Sequence, residues 1–156
     1  MKNTKIISGF PGVGKSYMFN NNSKLTILDS DSSNFSWVKD DKGNNTSERN
    51  PNFPSNYVQH IKENIGKVDI IMVSSHDIVR KSLQDANINY TIVYPDISLK
   101  DEYIQRYKDR GSNEGFVTMI NKNWSNFIVE TEKETFPKKI VLCEGEFLAD
   151  VINFII

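Results

Sequence analysis

Cysteine is almost missing from this chain of 156 residues. The one thiol, Cys143, has no partner for an internal disulfide, which fits a reducing compartment. Long apolar runs are missing too. Nothing approaches the roughly 18 residues of a membrane-crossing helix, so no membrane partner is expected. Met1 to Ile7 has no long apolar core before Gly9, so no signal peptide is expected and the expected location is cytoplasmic. Neither sign of charge dominates: 19 Lys and Arg stand against 20 Asp and Glu, a formal net charge of −1. That removes the general case for a nucleic-acid or membrane surface and leaves room only for a local basic cleft. Repeats and a domain boundary are also missing. The length predicts one domain, 1–156, large enough to fold without disulfide or metal staples.

What is present alternates in period. Apolar strand-like runs at Thr4–Ser8, Leu25–Leu28, Asp69–Ser75, Tyr90–Tyr94 and Lys139–Cys143 are separated by helix-like segments. These are Lys15–Asn20, Pro54–Ile65 with Tyr57, Ile61 and Ile65 on one stripe, Asp77–Ala86, Ser98–Arg110 with Ser98 and Asp101 in capping-box spacing, a long helix marked by Phe116, Ile120, Trp124 and Phe127, and Phe147–Ile156. Strands separated by helices predict an α/β fold, a parallel sheet with helices on both faces. Residues 32–53 are polar and read as a structureless stretch, which in a compact domain is usually functional. Cys143 reads as inert core, His60 as surface and Asp77 as a helix N-cap.

Residues 9–16 read Gly-Phe-Pro-Gly-Val-Gly-Lys-Ser, the spacing G-x-x-x-x-G-K-S. Gly9 and Gly14 allow backbone N–H groups to encircle phosphate oxygens. The helix start that follows adds its positive dipole end. Lys15 has the reach for β- and γ-phosphates, and the Ser16 hydroxyl suits Mg²⁺. An apolar strand before the loop and a helix after it supply the right context. The expected nucleotide-binding set is Gly9, Pro11, Gly12, Val13, Gly14, Lys15, Ser16 and Tyr17, with ATP and Mg²⁺ as the expected cofactors.

A GTPase is disfavoured. Asn121-Lys122-Asn123-Trp124 lacks the Asp of a guanine-recognition motif and lies in a helix-like segment, and Asp40-Asp41-Lys42-Gly43 has no strand before it. With Leu28-Asp29-Ser30-Asp31, Arg49-Asn50-Pro51, Val73-Ser74-Ser75-His76 and Arg106-Tyr107-Lys108-Asp109-Arg110-Gly111 following the glycine loop in that order, the whole chain resembles the P-loop nucleoside monophosphate kinase-like proteins, including small kinase-like proteins common in bacteriophages. The resemblance implies a three-layer P-loop sandwich with a five-stranded parallel sheet of order 2-3-1-4-5. It also implies an acceptor-binding insertion at about 32–66 and an arginine-bearing lid at about 106–116. The location would be the host cytoplasm if the chain is phage-encoded.

Asp29 and Asp31 stand where the second strand ends, on the sheet edge where α/β ligands bind. One is expected to support Mg²⁺, with Asp31 named alongside Ser16, and the other to orient or deprotonate an acceptor. The third strand ends in Ser74-Ser75-His76-Asp77, where related kinases often carry an acidic residue. Arg49 is expected either to grip an acceptor phosphate or to be solvated. Phe35 and Trp37 either stack on an acceptor base or anchor the insertion. His76 and Arg80 are further acceptor candidates. On a helical wheel Arg106 and Arg110 share the inward side with Tyr103 and Tyr107, which makes them a candidate clamp on the transferring phosphoryl or partners of protein carboxylates.

The expected activity is ATP-dependent phosphoryl transfer to a small-molecule acceptor, a nucleoside monophosphate first. A nucleoside, a small metabolite and a polynucleotide 5′ end are the alternatives, and a non-catalytic nucleotide-binding regulator is the rival of a different kind. A monomer or a homodimer is expected.

Overall fold

The computed structural model describes every residue, Met1–Ile156. The first strand β1 (Lys5–Gly9) runs into the glycine loop, followed by α1 (Lys15–Asn21) and β2 (Ile27–Asp29). Next come α2 (Ser33–Ser36), β3 (Trp37–Lys39), β4 (Asn45–Arg49) and α3 (Ser55–Asn64). The remainder is β5 (Ile70–Ser74), α4 (Asp77–Asp85), β6 (Thr91–Pro95), α5 (Lys100–Asp109), α6 (Glu114–Lys133), β7 (Lys138–Leu142) and α7 (Leu148–Val151).

Five of the strands form one parallel sheet in the order β2-β5-β1-β6-β7. The chain numbering differs from the expected order because the β3–β4 hairpin takes two numbers. Without it, the sheet strands stand as second, third, first, fourth and fifth in the chain. Ile70 to Val73 in β5 are all buried, and so are Ile6 to Gly9 in β1. Burial at successive positions means that both faces of the sheet are covered, which is why these strands read as continuous apolar runs rather than alternating ones. The pairings Gly9↔Ser74, Gly9↔Val93 and Asp29↔Met72 bring the carboxyl ends of β1, β5 and β2 to one edge.

Residues 32–53 are not structureless. Ser36, Trp37 and Val38 lead from α2 into an antiparallel hairpin in which Trp37 faces Arg49. The turn is made by Asp40, whose Oδ1 accepts from the backbone N–H groups of Lys42 and Asn44, and by Gly43 at φ 81. Strand-forming Trp37, Val38 and Thr46 on either side of an Asp/Gly turn carry the signal, though three-residue runs are too short for a period to show.

Other local readings shift for similar reasons. His76 rather than Asp77 occupies the N-cap of α4, with Asp77 inside the first turn. Asp96, not Ser98, caps the segment before α5: its carboxylate accepts from the Ser98 N–H at 2.9 Å. Cys143 lies beyond the end of β7 and is exposed. The last predicted helix is only α7 and a 3-10 turn, Ile152–Phe154. No helix is long and apolar enough to cross a membrane.

Candidate functional site

The glycine loop leaves the sheet where β1 is flanked by β5 and β6. Gly12 and Gly14 hold φ of 91° and 95°, a region that side-chain-bearing residues enter only under strain. Val13 between them is fully buried. Its carbonyl accepts from the Leu148 N–H and its N–H donates to the Phe10 carbonyl. Lys15 folds back across the loop and its Nζ donates to the Gly9 carbonyl. Ser16 and Tyr17 are exposed on the first turn of α1.

Burial pushes the Lys15 ammonium down to about 8, with Arg110 adding to the depression and Asp29 and Asp31 opposing it. Partial desolvation raises the Asp29 carboxyl above the ordinary carboxylate range, while Lys15 opposes the shift and Asp31 adds to it. Asp31 Oδ1 accepts from the Ser33 N–H at 2.9 Å and opens α2. The turn between the two carboxylates is anchored from below. Tyr57, fully buried on α3, donates its hydroxyl to the Ser30 carbonyl at 2.7 Å. Ser30 Oγ meets His60 Nε2 at 2.9 Å. His60 is thus half-buried beside Phe35, not a surface residue.

Arg106 and Arg110 stand in different surroundings. The sequence offers Arg106 and Arg110 as a phosphoryl clamp or as partners of protein carboxylates; the Arg106 guanidinium makes three hydrogen bonds within the protein. It donates to the Gly12 carbonyl at 2.8 Å, the Glu146 carbonyl at 3.0 Å and Glu102 Oε2 at 2.8 Å. It also lies 3.9 Å from the centre of the Phe147 ring and 4.3 Å from that of Tyr103. Tyr107 donates to the Pro11 carbonyl at 2.7 Å. Together these groups brace the glycine loop from outside. A Cβ on Gly12 would meet Tyr107 at 3.0 Å, and one on Gly14 would meet Phe147 at 3.1 Å. Arg110 is exposed, stacks over Tyr107, donates only to Ser112 Oγ and has no carboxylate partner.

The acceptor candidates are also redistributed. Arg80 is buried: it donates to the Ser75 carbonyl and to Glu134, which in turn accepts from Gln84 and Tyr90. It is not available to grip an acceptor phosphate. Arg49 stacks over its hairpin neighbour Trp37 at 4.2 Å, so both occupy each other. Phe35 anchors the insertion, packed on Tyr57 and His60 with ring centres 5.2 Å and 4.7 Å apart. His76 is exposed at the mouth of a cleft.

That cleft, of about 450 Å³, opens beside Gly9 and Lys15 and runs between the start of α4 and one side of α6. Its α6 wall is Phe116, Met119, Ile120 and Phe127, with Glu130 and Glu134 farther on. The sequence reading gave Phe127 to the helix's core stripe and left Glu134 unnoticed. Glu134 lies 54 residues from Arg80, and no local spacing reports such a pair. Glu146 and Phe147, 40 and more residues from Arg106, were missed for the same reason, whereas Glu102 stands at i−4 to Arg106 on α5, a spacing that could have found it.

Compared with protein-family models and with curated proteins, the chain gives no match.

Proposed function

We propose that the chain is a P-loop phosphotransferase that uses ATP with Mg²⁺. The observation that carries this reading is the glycine loop. Its positive-φ glycines and Lys15 stand at the carboxyl edge of a parallel sheet, the edge at which β2 ends in Asp29. The residues fit a polyphosphate: backbone N–H groups, an ammonium and a hydroxyl, Ser16, are at hand. No three His, Cys, Asp or Glu side chains converge, so a divalent cation here would take its oxygens mainly from phosphate and water. Ser16 and Asp31 would support it. Mg·ATP supplies the transferable γ-phosphoryl and neutralises part of its charge. Lys15 holds the donor phosphates, Arg110 covers the transferring group, and Asp29 or Asp31 takes the acceptor proton. Catalysis of this type is positioning and charge stabilisation.

The test is calorimetric titration with Mg·ATP, then ADP release with a panel of nucleosides, nucleoside monophosphates and a 5′-hydroxyl oligonucleotide. Acceptor-dependent ADP release supports a kinase. ATP binding without turnover would instead support the nucleotide-binding regulator, and absence of binding would overturn the reading.

Lys15 also sets a pH dependence. Its protein-bound pKa is about 8, and a phosphate partner raises it by favouring the ammonium. Binding therefore takes up a proton above pH 8. ATP affinity should be level between pH 6.5 and 7.5, then fall by up to about tenfold per pH unit above 8. Constant affinity from pH 7 to 9.5 would show that Lys15 does not face the phosphates.

A further inference from the structure

We infer that the cleft between α4 and α6 is the acceptor pocket and that it takes a neutral, ring-bearing alcohol of the nucleoside class, not a nucleoside monophosphate. This rests on the phosphotransferase reading above and names its substrate class.

The position comes from Gly9 and Lys15. Both line one end of the cleft, so an acceptor lying in it presents a group to whatever Lys15 holds. Asp29, paired in register with Met72 of β5, ends the strand β2 at the same sheet edge, two residues before Asp31. The size, about 450 Å³, is within the range of roughly 300–1,000 Å³ common for small-molecule sites.

The lining selects the chemistry. Phe116 and Phe127 offer ring faces, and Met119 adapts to a planar partner. Phe127 is 37% exposed and Met119 40% exposed, on a helix whose Ile120, Trp124 and Ile128 are buried. Asn126, Thr131 and His76 provide polar atoms for sugar hydroxyls or base edges.

An acceptor phosphate, by contrast, has nothing to hold it. The cationic lining groups are Lys15 and Arg80, with His76 at the mouth. Lys15 belongs to the donor end. Arg80 is neutralised by Glu134. Arg49 is stacked on Trp37, and Arg110 is stacked over Tyr107 and does not line the cleft. Asp77 and Glu130 add negative charge to the walls. A dianion placed there would be desolvated against carboxylates, an unfavourable arrangement.

The step balances simply. An acceptor hydroxyl oxygen bonds to the γ-phosphorus, and the bond from that phosphorus to the β–γ bridging oxygen breaks. The electron pair leaves with ADP, and the hydroxyl proton passes to Asp29 or Asp31. The products are ADP and the monophosphate of the acceptor.

The experiment compares ribo- and deoxynucleosides with their 5′-monophosphates, both by calorimetric binding without ATP and by ADP release with it. The expected result is binding of at least one nucleoside, with kcat/KM about a hundredfold above that of its monophosphate. Phe127→Ala should raise KM for that nucleoside by about tenfold through loss of the ring face. Glu134→Gln should free Arg80 and strengthen monophosphate binding by about tenfold, a gain that damage to the fold would not produce. A monophosphate or an oligonucleotide end preferred by wild type would overturn the pocket assignment while the kinase reading stood. ADP release with none of the acceptors, despite tight ATP binding, would overturn both.

Discussion

Lys15→Ala is expected to abolish phosphoryl transfer and leave the fold intact. The ammonium donates to the Gly9 carbonyl at the mouth of the glycine loop, where a β–γ bridging oxygen would compete for it. Removing a charge aimed at developing negative charge costs about 10²–10³ in kcat when one donor is lost, and more where the same group also binds the donor. Stability should move the other way. Burial holds the Lys15 pKa at about 8, below its ordinary 10.5, so the folded protein disfavours the charged form. The penalty is fully present below pH 8 and fades as pH rises from 8 to 10.5. The variant escapes it. Its melting temperature at pH 7 should equal or exceed that of wild type, and the difference should shrink towards pH 10. Turnover within threefold of wild type in folded Lys15→Ala would remove the proposed mechanism.

Arg106→Ala is expected to have the largest effect on stability. The side chain is 14% exposed and contacts Glu102, which is 27% exposed. Its truncation orphans the Gly12 and Glu146 carbonyls and leaves Glu102 with the Gly145 N–H as its remaining partner. Leaving several such acceptors unpaired costs about 1–3 kcal/mol each at the buried limit. A total of about 3 kcal/mol is reasonable for partly exposed groups. For a chain of this size that lowers the melting temperature by about 6–12 °C. The loop that Arg106 braces should loosen as well, so ATP affinity falls with it. Arg106→Lys should rescue little, because one ammonium cannot serve three acceptors and lie between two rings. Arg110→Ala is the contrasting case: an exposed side chain with one hydroxyl partner, whose loss should lower kcat and spare the melting temperature. An unchanged melting temperature in Arg106→Ala, together with a large fall in kcat, would restore the paired-clamp assignment.

The helical wheel placed Arg106 and Arg110 together on the inward side of α5 with Tyr103 and Tyr107; Arg106 is there, but Arg110, at the helix end, is exposed. What the wheel could not supply was the identity of Arg106's distant partners. Inward arginines require an anion or carbonyls; Glu102 answers from one turn away on the same helix, and the carbonyls belong to Gly12 and Glu146, 94 and 40 residues away in the chain. Arg80 followed the same course. Its position one turn into α4 pointed towards the strand-end loop, and its Nε does reach the Ser75 carbonyl. The rest of the guanidinium is claimed by Glu134 at the far end of α6.

The sequence by itself determined what depends on neighbours along the chain. The continuous apolar runs became the parallel strands, the glycine spacing set the positive-φ turns at Gly12 and Gly14, and Asp29 and Asp31 lie at the strand end where their turn was expected. Only the tertiary structure decided which charges are spent and which are free. Arg80, Arg106 and Arg49 look alike in sequence to Arg110, since each is a cation near a loop. Packing brought Glu134 to Arg80, two distant carbonyls to Arg106, Trp37 to Arg49, and Tyr107 and Ser112, its near neighbours in the chain, to Arg110. Hydrogen bonding and desolvation act over a few ångströms of space, and chain separation carries no record of that distance.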